Sequence, residues 1–147
     1  MSEAAISCQL LAISCQLSAI SCQLKGLFLR DFKKFQVWHK SHALAVAVYK
    51  LTSSFPKDEM YGMTSQIRRA SASIPANIAE GCGRGGEVEF ARFLTIASGS
   101  ASELEYHLLL CRDIGLLQSA DYDRLDAEIC EVKKMLSTLV NKMKENR

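Results

Sequence analysis

Apolar residues recur at spacings of three and four through most of the chain, and this period constrains the fold more than any other feature. The clearest stripe consists of Phe90, Leu94, Ala97, Ala101, Leu104, Leu108 and Cys111. A second consists of Tyr122, Leu125, Ile129, Val132, Leu136, Leu139 and Met143. Such spacing is typical of one face of an α-helix, and no segment shows the alternation of a strand. The sequence therefore predicts an all-α fold.

Four helices are expected. The first covers about residues 35–54 and ends at Pro56, because the residue before a proline disfavours helical geometry. The second covers about residues 60–82 and stops in the glycine-rich loop 81–86; the third covers about residues 87–117. Asp121 is placed to cap the fourth. Short connections between long helices predict an antiparallel up-and-down four-helix bundle formed by residues 31–147.

Residues 5–25 are a tandem repeat of a heptapeptide, Ala-Ile-Ser-Cys-Gln-Leu followed by a variable residue. Leu10, Ile13 and Leu17 have the spacing of a coiled coil, so a short real helix is one interpretation. The copies are nearly identical and almost uncharged, which favours a low-complexity segment. We predict a disordered or loosely helical tail over residues 1–30. We interpret it as a translated DNA repeat upstream of the functional start.

Charge is unevenly distributed along the chain. The net charge of +2 is too small to indicate nucleic-acid binding by itself. Residues 25–56, however, carry six Lys and Arg against one acid, and residues 87–118 carry two Arg against five acids. A basic and an acidic region can serve steering or self-association.

Six cysteines occur without a CxxC pair, which is neither a zinc pattern nor a disulfide framework. We expect Cys82, Cys111 and Cys130 to be buried thiols in a reducing compartment.

No apolar run has the length of a membrane span, and the N-terminus lacks the pattern of a signal peptide. The predicted location is the cytoplasm, without a membrane partner.

The second helix carries an unusual polar stripe. Its members fall within an arc of about 80° at 100° per residue; they are Gln66, Arg69, Ser73, Asn77, Glu80 and Arg84. One interpretation is a structural seam of hydrogen bonds that fixes helix register, since buried polar groups need partners. The other is a stripe that contacts a ligand, in which an unpaired arginine would favour phosphate.

A face of small residues lies beside the core stripe of the same helix: Ala72, Pro75, Ala76 and Ala79. The third helix has a similar stretch at residues 98–102. Small side chains let another backbone approach closely. The two patches are therefore expected either to pack against each other or to receive a neighbouring subunit.

Basic residues open the first helix, with aromatic residues interleaved. The basic positions are Lys25, Arg30, Lys33, Lys34 and Lys40. They are either a solvated helix start with core aromatics or a phosphate-facing patch.

Other chemical motifs lack their context. Residues 81–86 spell GxGxxG, but they follow a helix, whereas a dinucleotide fingerprint follows a strand. His39 with His42, and Glu103 with His107, do not supply the several inward Glu residues and two Glu-x-x-His motifs of a di-metal bundle. No nucleophilic arrangement is defensible. We predict no enzymatic activity, no metal and no cofactor.

Several segments resemble one known family. The central ones are Gln66-Ile-Arg-Arg-Ala, Ser73-Ile-Pro-Ala-Asn-Ile-Ala-Glu-Gly and Gly83-Arg84, and further matches include Val37-Trp38, Glu59-Met-Tyr-Gly62 and Ile96-Ala-Ser-Gly-Ser100. Together they resemble the bacterial four-helix-bundle proteins encoded in intervening sequences of large-subunit ribosomal RNA genes. The likeness covers about residues 32–140, and the N-terminal repeat falls outside it.

The resemblance implies an up-and-down bundle that assembles into a ring, typically a homopentamer. A related branch of the family acts as an accessory protein of diversity-generating retroelements, where a pentamer binds the reverse transcriptase and nucleic acid. Arg68, Arg69 and Arg84 are the positions carried over as nucleic-acid contacts, and Lys33 and Lys34 are added on charge alone.

Two functional hypotheses follow. The first is a homo-oligomeric bundle that binds RNA or DNA, as a ribonucleoprotein scaffold. The alternative is a protein adaptor that docks a partner such as a reverse transcriptase without touching nucleic acid.

Overall fold

The computed structural model describes residues 30–145, which form four α-helices. They are α1 (Gln36–Leu51), α2 (Met63–Gly83), α3 (Glu87–Asp113) and α4 (Ser119–Glu145). Single 3-10 turns occupy Phe32–Lys34, Thr52–Ser54 and Lys57–Glu59. No strand occurs within the described residues, so the all-α prediction is confirmed. The prediction for the repeat tail falls almost entirely on residues 1–29, which lie outside the described part.

The helices form a closed antiparallel bundle. Each packs against the next along the chain, and α1 also packs against α4. The direction is evident between α2 and α3. Ser73 faces Ser100, whereas Arg69, one turn earlier in α2, faces Glu103, which comes later in α3. The predicted up-and-down four-helix bundle is therefore confirmed.

The apolar stripes meet along the bundle axis. Every residue of the predicted α3 stripe is buried, and so are the four central members of the α4 stripe. Ile67, Ala70, Ile74 and Ile78 complete the core from α2. Burial of apolar side chains is the dominant stabilising term in folding, so the apolar face of each helix turns inward. The residues that recur at the helical period are therefore the residues of the core.

Several helix ends differ from the prediction. α1 ends at Leu51, because Thr52–Ser54 form a 3-10 turn, and α2 begins at Met63.

α3 ends at Asp113 and not near residue 117, because Gly115 takes a left-handed conformation with φ of 80°. The amide of Leu116 then bonds the Cys111 carbonyl at 2.9 Å, and the Gly115 amide bonds the Arg112 carbonyl at 3.1 Å. These bonds define a Schellman C-cap.

The prediction that Asp121 caps the fourth helix is wrong. α4 begins at Ser119, so Asp121 lies within the first turn. A carboxylate there is still favourable, because it faces the positive end of the helix dipole. It also accepts a hydrogen bond from Arg124, with Nη2 3.3 Å from Oδ1.

Cys82 and Cys111 are buried in the core and Cys130 is half-buried; all three are free thiols. The prediction of buried thiols is thus confirmed for the first two, while Cys130 is less enclosed than expected.

Among residues 30–145, no helix is both long enough and apolar enough to cross a membrane.

Candidate nucleic-acid interface

The middle of the α2 polar stripe forms a hydrogen-bonded seam with α3. The Oγ atoms of Ser73 and Ser100 lie 2.9 Å apart. Asn77 Nδ2 donates to the Ser73 carbonyl at 2.8 Å and to Ser73 Oγ at 2.9 Å. Ser73 and Asn77 are half-buried and Ser100 is buried. For these residues the structure favours the interpretation that the stripe fixes helix register.

Arg69 extends the seam to the surface. Its Nη2 donates to Gln66 Oε1 at 2.9 Å and to Glu103 Oε1 at 2.7 Å. The side chain is 66% exposed, so this ion pair joins α2 to α3 in contact with solvent. Exposed pairs of this kind contribute little to stability. Their partners can exchange when another anion approaches.

Arg84, the residue directly after α2, is paired with a carboxylate of that helix. It donates to Glu80, one turn earlier in α2, and its guanidinium lies 5.6 Å from the centroid of the Phe93 ring. The hydrogen bond to Glu80 raises the pKa of Arg84 above its ordinary value. Both outer arginines of the stripe therefore already have a carboxylate partner.

Arg68 differs from its neighbour. It lies on the side of α2 that faces the end of α1, where its Nε donates to Thr52 Oγ1 at 2.8 Å. Its guanidinium carbon lies 5.2 Å from the centroid of the Tyr49 ring, within range of a cation–π contact. Among the described residues, no carboxylate forms an ion pair with Arg68.

Lys33 and Lys34 lie in the 3-10 turn before α1, and both are exposed. Asp31 Oδ1 accepts the Lys33 backbone amide at 3.0 Å, and His39 Nε2 lies 2.6 Å from the Lys33 carbonyl. Neither lysine side chain forms an ion pair within residues 30–145. These contacts order the turn, while both lysine side chains stay exposed and Lys33 Nζ lies 5.9 Å from the centroid of the Phe32 ring.

The five predicted contacts do not share one patch. The Arg30 amide bonds the Cys82 carbonyl at 3.2 Å, which holds the segment before α1 against the end of α2 that carries Arg84. Arg68 and Arg84 are separated by about 24 Å along α2, at 1.5 Å per residue. Basic side chains therefore lie near both ends of the helix, with the neutral Ser73–Asn77 seam between them.

The small-residue face of α2 lines an open groove beside α1. Ala72, Pro75, Ala76 and Ala79 form one wall, and the groove has a volume of about 820 Å³. The α1 side and its approach are formed by Phe32, Trp38, His42, Ala45, Val46, Tyr49, Lys50 and Ser53. The ring of Trp38 stacks on His42 at 5.2 Å between centroids and 4° between planes.

Of the two expectations for the small-residue face, packing against residues 98–102 is wrong. The stretch in α3 meets α2 at Ser73, on a different side of the helix from the groove. Sequence reasoning also missed Val46 and Tyr49 as part of an exposed apolar surface. Both side chains are more than 40% exposed, and the apolar pattern of α1 alone does not show this.

A set of possible cation ligands joins α3 to α4. One ligand atom each from Glu105, Asp126 and Cys130 lie within 4.8 Å of one another. Lys133 Nζ is 2.6 Å from Glu105 Oε2 and already neutralises that carboxylate. Sequence analysis did not identify this set, because Asp126 and Cys130 lie one turn apart in α4 whereas Glu105 lies in α3.

The GxGxxG loop has no nucleotide-binding context in the described part of the chain. It directly follows α2, and residues 30–145 contain no strand. Gly81 belongs to α2 and is buried, whereas Gly85 and Gly86 have φ of 71° and 79° and form the turn into α3. A positive φ at two successive positions favours glycine, so the turn geometry alone accounts for Gly85 and Gly86 and no bound nucleotide is needed to explain them.

The model of the 23S rRNA-intervening sequence protein family matches residues 33–138. A solved structure from Bacteroides thetaiotaomicron, described as a protein with unknown function from the S23 ribosomal protein family, is similar in sequence and fold. It is 29% identical with a TM-score of 0.64, and the match covers 71% of this chain and 97% of that one. No curated protein matches. Because the family model spans more than half of the sequence, this chain belongs to the 23S rRNA-intervening sequence protein family.

Proposed function

We propose that this protein is a non-enzymatic, cytoplasmic four-helix bundle that assembles into a homo-oligomer and binds RNA or DNA, as a ribonucleoprotein scaffold. The pentameric state is taken from the family resemblance. The observation that carries the assembly is the apolar groove between α1 and α2, since exposed apolar surface rimmed by polar residues marks sites of association.

A second copy of the chain is the occupant that the groove fits. Lys50 lines the groove and, among the described residues, no acid does, whereas α3 carries a net charge of −3. The exposed side of α3 also presents Val88, Ile96 and Tyr106. A contact between the groove of one subunit and α3 of the next would join different surfaces, which is the arrangement that closes into a ring.

Nucleic-acid contact is best assigned to the basic residues without a carboxylate partner. Lys33, Lys34 and Arg68 have none in the part of the chain described, whereas Arg69 and Arg84 would have to exchange Glu103 and Glu80 for a phosphate. Repetition of these residues around a ring multiplies a weak phosphate contact. Such contacts bind the backbone and do not read bases.

The second candidate is an adaptor that docks a partner protein, such as a reverse transcriptase, without nucleic-acid contact. The pairing of Arg69 and Arg84 favours it, because these side chains are already satisfied within the subunit. The groove would then serve both self-assembly and docking.

Assembly is tested by the mass of the full-length protein in solution, measured by light scattering after size exclusion. Ala76→Glu places a charge in the groove and is expected to shift the protein to monomer. Ala127→Glu makes the same change at an exposed position of α4 and should keep the oligomer. A wild-type monomer, or an Ala76→Glu variant with unchanged mass, contradicts this interface.

Nucleic-acid binding is tested with a single-stranded RNA by fluorescence anisotropy over a range of salt concentrations. Phosphate contacts predict an affinity that falls as salt rises, with a slope that decreases for each cation removed. Lys33→Ala/Lys34→Ala should reduce the slope, while Lys144→Ala, at an exposed position near the end of α4, provides the control. Absence of binding at low salt favours the adaptor.

A further inference from the structure

A small pocket lies at the end of the bundle where α1 ends and α2 begins. It has a volume of about 150 Å³. Hydroxyl, cationic and apolar side chains line it: Thr52, Ser53, Phe55, Pro56, Lys57, Met60, Thr64 and Arg68. No carboxylate is among them. At this size the pocket is smaller than the sites that hold drug-sized ligands, so it suits a small group.

Neither cation of the pocket has a counter-ion in the part of the chain that the structure describes. Within residues 30–145, neither Lys57 nor Arg68 forms an ion pair, although Arg69 and Arg84 each do. The neighbouring Glu59 is used elsewhere, since its Oε2 accepts the Met63 amide at 3.3 Å. Asp58 is exposed and does not line the pocket. Among the described residues, the pocket lining therefore carries two cations and no carboxylate.

Arg68 is oriented before any ligand arrives. Thr52 Oγ1, itself fixed by a 2.9 Å hydrogen bond to the Val48 carbonyl, accepts from Arg68 Nε. The Tyr49 ring lies against the guanidinium. These contacts leave both Nη groups without an acceptor among the described residues. Two parallel N–H groups of a guanidinium match the oxygens of a phosphate.

An unpaired hydroxyl gives an independent indication. Thr64 is 4% exposed and lines the pocket, yet its Oγ1 has no hydrogen-bond partner within the described part of the chain. A buried hydroxyl without a partner is unfavourable, so such groups in native structures usually meet a water or a ligand. A phosphate oxygen would provide the missing acceptor.

We propose that this pocket binds a phosphate group through Arg68 and Lys57. The shared chemistry is a dianionic or diester phosphate, which can come from free inorganic phosphate or from a nucleic-acid backbone. The second source rests on the proposed function and would make this pocket one of the points at which the protein contacts nucleic acid. The first does not depend on it.

The test measures the melting temperature of the full-length protein in inorganic phosphate and in chloride at equal ionic strength. A ligand that binds only the folded state raises the melting temperature. Lys57→Gln alters an exposed side chain, should leave the fold intact and is expected to weaken phosphate binding about tenfold, as for one charge-assisted bond. Arg68→Gln should abolish the shift. Lys144→Gln, at the opposite end of the bundle, should preserve it.

The proposal is overturned if the wild type has the same melting temperature in phosphate and in chloride. It is also overturned if Lys57→Gln and Arg68→Gln keep the full increase in melting temperature that phosphate gives the wild type. A single-stranded RNA is then titrated in the presence of phosphate. Competition between them identifies the backbone as the source, and phosphate binding without competition identifies the free ion. RNA binding that persists in both variants, with no phosphate shift in the wild type, refutes the pocket while leaving the proposed function intact.

Discussion

Gly81 of α2 lies against Phe93 of α3 with no space for a side chain between them. A Cβ atom at Gly81 would lie 2.7 Å from Phe93 Cβ and 3.2 Å from Phe90 Cδ2. This glycine therefore sets the distance between the two helices at the end of the bundle where the α2–α3 turn begins. Its role is packing, although the sequence presents it as the first glycine of a loop.

Gly81→Ala is expected to lower the free energy of unfolding by about 1–2 kcal/mol, because overpacking outweighs the better helix propensity of alanine. Gly83→Ala is the matched control. A Cβ there meets no atom within 4 Å, so the same change should be neutral or slightly stabilising. Urea denaturation of both variants provides the measurement. Equal stabilities would mean that α2 and α3 can separate without loss.

The Ser73–Ser100 hydrogen bond is expected to couple the two helices energetically. A double-mutant cycle of Ser73→Ala and Ser100→Ala should give an interaction energy of about 0.5–1.5 kcal/mol in urea denaturation.

The control cycle combines Ser73→Ala with Thr95→Ala. The Thr95 hydroxyl donates a hydrogen bond to the Ala91 carbonyl of its own helix and forms no hydrogen bond with α2. Additive effects are expected for that pair. Additivity for Ser73 and Ser100 as well would show that the seam contributes no specific coupling.

The core could be predicted from the sequence because burial follows the helical period within one segment. The polar stripe was recognisable for the same reason. Its partners were not, since Ser100 and Glu103 depend on the register between two helices. The Thr52–Arg68 contact likewise depends on how a turn folds back on α2.

The early end of α3 had a local signal that the apolar pattern obscured. Leu116 and Leu117 prolong the hydrophobic run, but Gly115 stands where a C-cap glycine ends a helix. The groove beside α1 was underestimated for a different reason. Exposure of Val46 and Tyr49 is a property of the assembled surface, which no single helix reveals.

Cys82 and Cys111 should make stability fall at alkaline pH. Burial raises the pKa of each thiol from 9.0 to about 11. Above about pH 9 the unfolded chain releases thiol protons that the folded protein retains, so the free energy of unfolding decreases as pH rises towards 11. Urea denaturation between pH 8 and pH 11 should show a flatter decline for Cys82→Ala/Cys111→Ala. The same slope in both proteins would contradict the assignment.

Thiol reactivity gives a second readout of the same burial. Peptide-resolved alkylation at pH 8 should label the half-buried Cys130 before Cys82 and Cys111, because the thiolate is the reactive form and needs access. Labelling of Cys111 as fast as Cys130 would mean that the core opens at that end.

Thr52 and Thr64 are both buried threonines, yet replacement by valine should change stability in opposite directions. Thr64→Val removes a hydroxyl without a partner in the described structure and should raise the free energy of unfolding by about 1 kcal/mol. Thr52→Val removes the acceptor of Arg68 Nε and should lower it by about 1–3 kcal/mol. Both are measured by urea denaturation in phosphate-free buffer, so that no anion occupies the pocket. If Thr64→Val proves as destabilising as Thr52→Val, the Thr64 hydroxyl already has a partner. The unpaired hydroxyl then no longer supports a ligand in the pocket, and the proposal rests on Arg68 and Lys57 alone.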